Sequence, residues 1–320
     1  MSPAPGDLFV APMLATLVRD PFDDPDWLFE IKWDGFRVEA CVSGGEVALF
    51  TRGGQDAKRY FGDILSPADW LAADEAVIDG ELVALDELGG SDFALLQRGM
   101  RGRSAVGGST GLTYQAFDLL RLDGVSLLER PLEERKKKLE AVLRPDPRVR
   151  YSEHVERDGV AFFEAARARH LEGIIAKQRA SPYLPGVRSP SWLKVKNRPE
   201  QELVVVGWTT GTGYATELAA LLVAVNVDGR LTYAGKVGAG FDQAGRRELV
   251  KRLGPLETAE PPLHDAPTGR LRRDATWVRP ELVIRADFAG WTRDGKVRQA
   301  SFKGIEIEKD PRDVGREAPA

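Results

Sequence analysis

Residues 29–37 read Phe-Glu-Ile-Lys-Trp-Asp-Gly-Phe-Arg, which sets Lys32 between apolar Ile31 and Trp33, just ahead of an Asp-Gly turn. Side chains alternate faces along an extended strand. Phe29, Ile31 and Trp33 are therefore expected to point inward, with Glu30, Lys32 and Asp34 sharing the opposite face. A lysine fixed beside two carboxylates, with Arg37 near it in sequence, suits a nucleophilic amine that meets an anionic substrate. Taken alone, Lys-x-Asp-Gly is more often an ordinary hairpin with solvated charges. The stretches downstream decide between the two.

In Val77-Ile78-Asp79-Gly80-Glu81-Leu82 the spacing puts Asp79 and Glu81 on one strand face, where they could bind ribose hydroxyls or a hard cation. Tyr114-Gln115-Ala116-Phe117-Asp118 offers Phe117 as an aromatic able to stack on a base, with core packing as the alternative. Glu172, ahead of Gly173-Ile174-Ile175, places a carboxylate at a strand start, a reasonable metal ligand. In Trp192-Leu193-Lys194-Val195-Lys196 the two lysines share a face. Parallel ammonium groups repel unless an anion lies between them, so this is a phosphate signature.

Strands must carry these residues. Strand patterning is read at 27–33, 37–42, 46–51, 76–85, 112–120, 150–155, 173–177 and 192–196. Helical periodicity is read at 132–143 and 159–170. The Gly-rich stretch 99–111 is expected to be a flexible surface loop. Past Asn197-Arg198-Pro199-Glu200 the pattern changes. Five strands are expected at 202–208, 219–226, 231–237, 282–288 and 297–302, with a helix at 243–253 between the third and fourth. This combination suits a small barrel of the OB type. Asp228-Gly229 and Asp294-Gly295 read as hairpin turns. The domains are cut at 1–199 and 200–320, the second ending in a charged tail after Asp310.

The chain of 320 residues, 29% charged and 42% hydrophobic, has the size and composition of a globular protein of about two domains. It has no apolar run long enough to span a bilayer and no secretory pattern in its first residues. One cysteine, Cys41, rules out an internal disulfide framework, and with three histidines a zinc site is not expected. A reducing cytoplasmic setting, with no membrane partner, fits best. The net charge of −4 argues mildly against nucleic acid. Basic runs at 98–103, 130–138, 188–198 and 270–279 nevertheless leave room for a basic groove. Residues 135–138, in a helical stretch with glutamates, read as a solvated face.

Lys-x-Asp-Gly, Thr51-Arg52-Gly53-Gly54, Asp-Gly-Glu, Phe-Asp, Glu-Gly and the Lys-x-Lys strand follow the order of the covalent nucleotidyltransferase superfamily. Within it the chain most resembles ATP-dependent DNA ligases of the bacterial end-joining type. Trp33, the Trp192–Lys196 stretch, Val206-Gly207-Trp208 and the ending at 302–311 carry that closer likeness. The resemblance covers nearly the whole chain, and the ordered set is far more specific than any one motif. It implies an α+β fold: an adenylation domain built on antiparallel sheets, then an OB-fold β-barrel domain.

By that resemblance Lys32 attacks the α-phosphate of ATP, giving lysyl-AMP and pyrophosphate. A free lysine, with a pKa of about 10.4, is mostly protonated at neutral pH, so nearby cations are needed to favour the neutral amine. Arg37 and Arg52 hold phosphate, Glu81 contacts ribose, Phe117 stacks on adenine, and Lys194 and Lys196 contact the α-phosphate. Glu30 lies where the family contacts adenine, and Ile31 beside it is counted with the nucleotide-binding residues. Glu172 matches the metal ligand, joined by Asp34 and Glu81, for Mg²⁺ or Mn²⁺. Lys309 survives from a closing motif, Arg-x-Asp-Lys, that here reads Glu306-Ile307-Glu308-Lys309 and so reverses a charge at Glu306.

The implied substrate is nicked or broken double-stranded DNA, sealed by a monomer in the bacterial nucleoid. A Ku-like end-binding protein and a separate polymerase and nuclease are the implied partners. The nearest alternatives are an RNA ligase or a capping-type nucleotidyltransferase, then a catalytically silent repair scaffold. An NAD-dependent ligase is disfavoured by the lack of a cysteine-rich module and of a nicotinamide-binding segment ahead of Lys32.

Overall fold

The computed structural model describes residues 3–317 apart from 88, 94, 98–110, 212 and 213. The loop expected at 99–111 and the basic run at 98–103 therefore lie, save for Gly111, outside the described residues. The chain divides into two compact units after Asn197.

Among the described residues the first unit carries eleven strands: β1 (Leu14–Val18), β2 (Asp24–Ile31), β3 (Phe36–Ser43), β4 (Glu46–Thr51), β5 (Glu75–Ala84), β6 (Leu112–Leu122), β7 (Val125–Ser126), β8 (Val149–Tyr151), β9 (His154–Arg157), β10 (Gly173–Gln178) and β11 (Arg188–Lys196). They form two sheets. One has the order β1-β11-β10-β2-β9, the other β4-β3-β5-β6-β7 with β8 beside β6. Pairing is antiparallel except β1 with β11 and β6 with β8.

Each sheet has a distinct apolar face. In the first, Phe29, Ile174, Ala176 and Val195 are buried with Phe163 and Ala166 of the helix Gly159–Ala168. At roughly 1.5–3 kcal/mol for each large apolar side chain removed from water, this layer does much to hold the sheet. The other face of that sheet, bearing Lys177, Trp192 and Lys194, turns to the second sheet. There Trp192 meets Phe117 of β6 edge-on, with ring centroids 6.2 Å apart.

In the second unit β12 (Glu200–Gly211), β13 (Tyr214–Val227), β14 (Arg230–Ala239), β15 (Glu257–Thr258), β16 (Ala275–Asp287), β17 (Gly290–Trp291), β18 (Val297–Arg298) and β19 (Ala300–Glu306) follow. The sheet runs β12-β13-β14-β19-β16-β15, and β12 also pairs β16, which closes a five-stranded barrel. Strands β14 and β19 are parallel, and the helix Gln243–Leu253 sits between the third and fourth barrel strands in sequence. That is the expected OB architecture. Leu249 and Leu253 of the helix enter the barrel core with Val204, Leu222 and Ile284. Asp228 and Gly229 both have positive φ, 49° and 76°, as a two-residue hairpin joining right-twisted strands requires.

Three of the expected strands take a different form. The stretch 150–155 is two strands in different sheets, β8 and β9, with buried Ser152 at the crossing. The strand at 297–302 is broken into β18 and β19 at Gln299, whose φ of 51° no regular strand accommodates. Strand β2 stops at Ile31 instead of continuing to Trp33.

Candidate active site

The end of β2 explains the Lys-x-Asp-Gly motif. The Lys32 N–H still donates to the Gly173 carbonyl at 3.0 Å, but Gly173 is the first residue of β10 and the ladder has no further rung. The chain then crosses to the other sheet. Gly35 passes so close to β5 that an added Cβ would lie 2.2 Å from the Leu82 carbonyl oxygen. The motif is thus a bridge between sheets, and the ordinary hairpin that was its alternative reading is not formed. Trp33 accordingly does not follow Phe29 and Ile31 onto the sheet's apolar layer. It is half-buried, and its Nε1–H donates to Ser152 Oγ at 3.1 Å.

Across the first sheet the register aligns the charged residues. Ile175 pairs Glu30 on one side and Lys194 on the other, while Gly173 lies between Lys32 and Lys196. Lys32, Lys194 and Lys196 therefore share one face, and the glycine between two of them has no side chain to cover their row. Gly173 has little alternative: its φ is 151°, and a Cβ would lie 2.0 Å from the Val195 carbonyl oxygen. Its neighbour Glu172, with a side chain only 5% exposed, forms an ion pair with Lys32.

Glu30, on the same face, is buried rather than solvated. Lys136 donates to its Oε1 at 2.7 Å and Lys177 to its Oε2 at 2.8 Å, all three side chains 2% exposed. A buried carboxylate left alone would cost several kcal/mol, so two ammonium partners account for its presence. The Lys177 ammonium also sits 4.3 Å from the centroids of both Phe117 and Trp192. Burial lowers its pKa, Glu30 opposes that, and Lys136 reinforces it.

The reading of 135–138 as a solvated face is corrected here. In the helix Leu132–Val142, Arg135 and Lys136 are fully buried, while Lys137 stays exposed. Arg135 grips Asp118 with two bonds of 2.8 Å, so these helix cations face a carboxylate on each sheet. Lys136 and Lys177 are the residues the sequence reading missed. Lys177 was within reach, since it has the parity of Gly173 and Ile175 on a strand whose two faces are both covered.

The second sheet supplies Arg37, Asp79, Glu81 and Phe117. Arg37 donates to Asp79 at 2.9 and 2.5 Å, and Tyr183 donates to Asp79 at 2.6 Å. Asp79 is thus committed to protein partners. Glu81, half-buried, is the ladder partner of Arg37. Phe117 lies in a core cluster with Trp192 and Tyr183, 9% exposed. Arg52 is exposed after β4, and Asp34 is buried with its N–H donating to Ser91 Oγ at 2.9 Å. Ile31, half-buried, packs against the first sheet's apolar layer. Lys309 belongs to the second unit, where its Nζ is 3.2 Å from Glu202 Oε2.

Among the described residues no three His, Cys, Asp or Glu side chains come together as a metal-holding group, so Asp34, Glu81 and Glu172 are not gathered into one shell by the protein. A Mg²⁺ ion that takes one or two carboxylates and completes its shell with substrate phosphates and water needs no such cage. Glu172 beside a lysine row fits that mode.

The family model described as "ATP dependent DNA ligase domain" matches residues 12–196, and "ATP dependent DNA ligase C terminal region" matches 214–309. The "Multifunctional non-homologous end joining DNA repair protein LigD" of Mycobacterium tuberculosis is 36% identical over 310 residues, 96% of this chain and 40% of that protein. The LigD of Pseudomonas aeruginosa is 36% identical over 317 residues, 98% of this chain and 37% of its own. The chain thus spans about two-fifths of the length of these relatives. The solved structure "mycobacterial DNA ligase D complexed with ATP and MES" is similar at TM-score 0.72 and 35% identity, covering 96% of this chain and 98% of that one.

Proposed function

The chain belongs to the ATP-dependent DNA ligase family, and from that premise we propose that it seals 5′-phosphate/3′-hydroxyl breaks in double-stranded DNA through a lysyl-AMP formed on Lys32. The observation that carries the reading is the row Lys32–Gly173–Lys196, with Lys194 one rung away on the same face. It sets the Lys32 amine on the face that carries Lys194 and Lys196, with a glycine in the row between Lys32 and Lys196, a geometry suited to a phosphate.

In the first step the Lys32 nitrogen forms a bond to the α-phosphorus of ATP while the bond to pyrophosphate breaks. Only a neutral amine has the lone pair for this, so Lys32 sheds a proton before attack. Lys194 and Lys196 stabilise negative charge developing on the phosphate oxygens from fixed positions on β11. Glu172 orients the Lys32 side chain. It is also the residue that would hold a divalent cation, Mg²⁺ or Mn²⁺, which when bound supplies further charge neutralisation at the phosphates. The AMP then passes to the 5′-phosphate of the break, and the 3′-hydroxyl displaces it. Arg37 is tied to Asp79, so its part is to shape the wall of the site; Arg52, exposed, is the freer of the two to meet phosphate. Action in non-homologous end joining, which the relatives' names carry, is part of the same proposal, as are the nucleoid setting, the Ku-like end binder and the separate polymerase and nuclease that the sequence resemblance implies.

Incubation with α-labelled ATP and a divalent cation tests it. The unaltered chain should acquire acid-labile covalent AMP and seal a nicked duplex. Lys32→Ala and Lys32→Arg should acquire none, the arginine because its guanidinium stays protonated. Covalent AMP on the Lys32→Ala protein would refute the assignment.

A further inference from the structure

Lys136 makes more contacts than a stabilising ion pair requires. Its ammonium donates to Glu30 Oε1 at 2.7 Å and to the Ser152 carbonyl at 3.1 Å, and lies 4.5 Å from the centroid of Tyr151. Ser152 in turn accepts the Trp33 indole N–H at its Oγ, 3.1 Å away. One buried cation therefore reaches residue 30 directly and residue 33 through Ser152. These two positions bracket Ile31 and Lys32.

The backbone alone does not fix this segment. The β2 ladder ends with the Lys32 N–H, and the next backbone tether is the Asp34 N–H on Ser91. Glu172 holds the amine itself, while the side-chain bonds to Glu30 and Trp33 hold the stretch of backbone from which the amine projects. We infer that Lys136 is a positioning residue for Lys32, acting through Glu30 and Ser152 to hold the amine in line for attack. The inference rests on the proposed adenylation. Lys177 shares Glu30 but makes no bond to Ser152, so its influence stops on one side of the nucleophile.

Lys136→Met tests this, because it removes the charge at similar length while Lys177 still pairs with Glu30. Two reactions are compared: single-turnover formation of lysyl-AMP at saturating ATP, and sealing of a nick that already carries a 5′-adenylate. The second forms no bond to Lys32, so it reports the rest of the site. Misplaced nucleophiles lose rate steeply, and adenylation should fall roughly 10- to 100-fold. The KM for ATP and the sealing of the adenylated nick should stay as in the unaltered chain. Lys136→Arg should recover part of the loss. Ser152→Ala, which keeps the carbonyl and cuts only the link to Trp33, should show a smaller loss confined to adenylation, and it serves if Lys136→Met does not fold. Unchanged adenylation in these variants, or equal losses in both reactions, would overturn the inference. A wild-type chain that takes up no AMP removes the nucleotide reading itself, and the inference with it.

Discussion

Glu39 is a buried acid on the face of β3 that looks toward the first sheet, 1% exposed. Its Oε1 accepts the Val10 N–H at 2.6 Å, while Oε2 is buried with no hydrogen-bond partner. Burial pushes its pKa from 4.5 to about 8; the Val10 N–H opposes this, Asp79 adds to it, and the Cys41 thiol and Arg37 oppose it. The folded state thus keeps a proton that the unfolded chain releases near pH 4.5. Glu39 is most compatible with folding below that pH, and stability drains away as the pH rises toward 8. The loss is of order a few kcal/mol for a group so fully buried. Glu39→Gln should abolish this component. Thermal melts from pH 4 to 9 should show the variant gaining on the parent between about pH 4.5 and 8, then running parallel. Parallel curves across the whole range would show that Glu39 is already ionised in the fold.

Single residues also mark where sequence reading stopped. Glu30 and Lys32 could be placed on one face of their strand, and Lys194 and Lys196 on one face of theirs, because strand parity is a local property. Lys136 could not, because a lysine in a Glu-Arg-Lys-Lys-Lys helix has the same local pattern whether it meets water or Glu30. Burial of that helix face is decided by residues on other elements, among them Glu30, 106 positions away. Asp79 shows the reverse: parity placed it beside Glu81, but only the fold shows it spent on Arg37 and Tyr183.

Among the elements, the three helices longest in periodicity and the hairpin at Asp228-Gly229 were legible, since their signals span a few neighbouring residues. Strand β1 was not. Leu14–Val18 is uniformly half-buried, without alternation, and it exists because it pairs in parallel with β11 some 170 residues on. The stop of β2 at Ile31 was equally hidden, since it depends on where β10 begins. Gly173 sits at that junction and governs both strands. Gly173→Ala would force a Cβ into the Val195 carbonyl and hold alanine at a φ it rarely adopts. The expected cost is roughly 2–4 kcal/mol, from overpacking and backbone strain together. Urea titration should lower the midpoint with little change in slope, and lysyl-AMP formation should fall even where the variant is fully folded. Wild-type adenylation by a stable Gly173→Ala protein would mean that the Lys32–Lys196 spacing is not what matters.

At the scale of the molecule, each unit closes its own core. The first is held by the layers around Phe29 and around Phe117 and Trp192, the second by the barrel residues from Leu203 to Val314. Units of this size with separate cores unfold as separate cooperative blocks. Calorimetry should therefore show two transitions, the second of them reproduced by a chain of residues 198–320 alone. Lys32, Glu172, Lys194 and Lys196 all lie before Asn197, so nucleotide should act on the transition of the first unit. At a hundredfold excess over Kd, ATP with a divalent cation should stabilise that block by about 2.7 kcal/mol. Lys196→Ala should shrink the shift, because it takes one of the two flanking charges from the phosphate row while leaving the apolar layer intact. A nucleotide shift confined to the barrel transition would place the binding groups on the wrong unit and undo the assignment of Lys32.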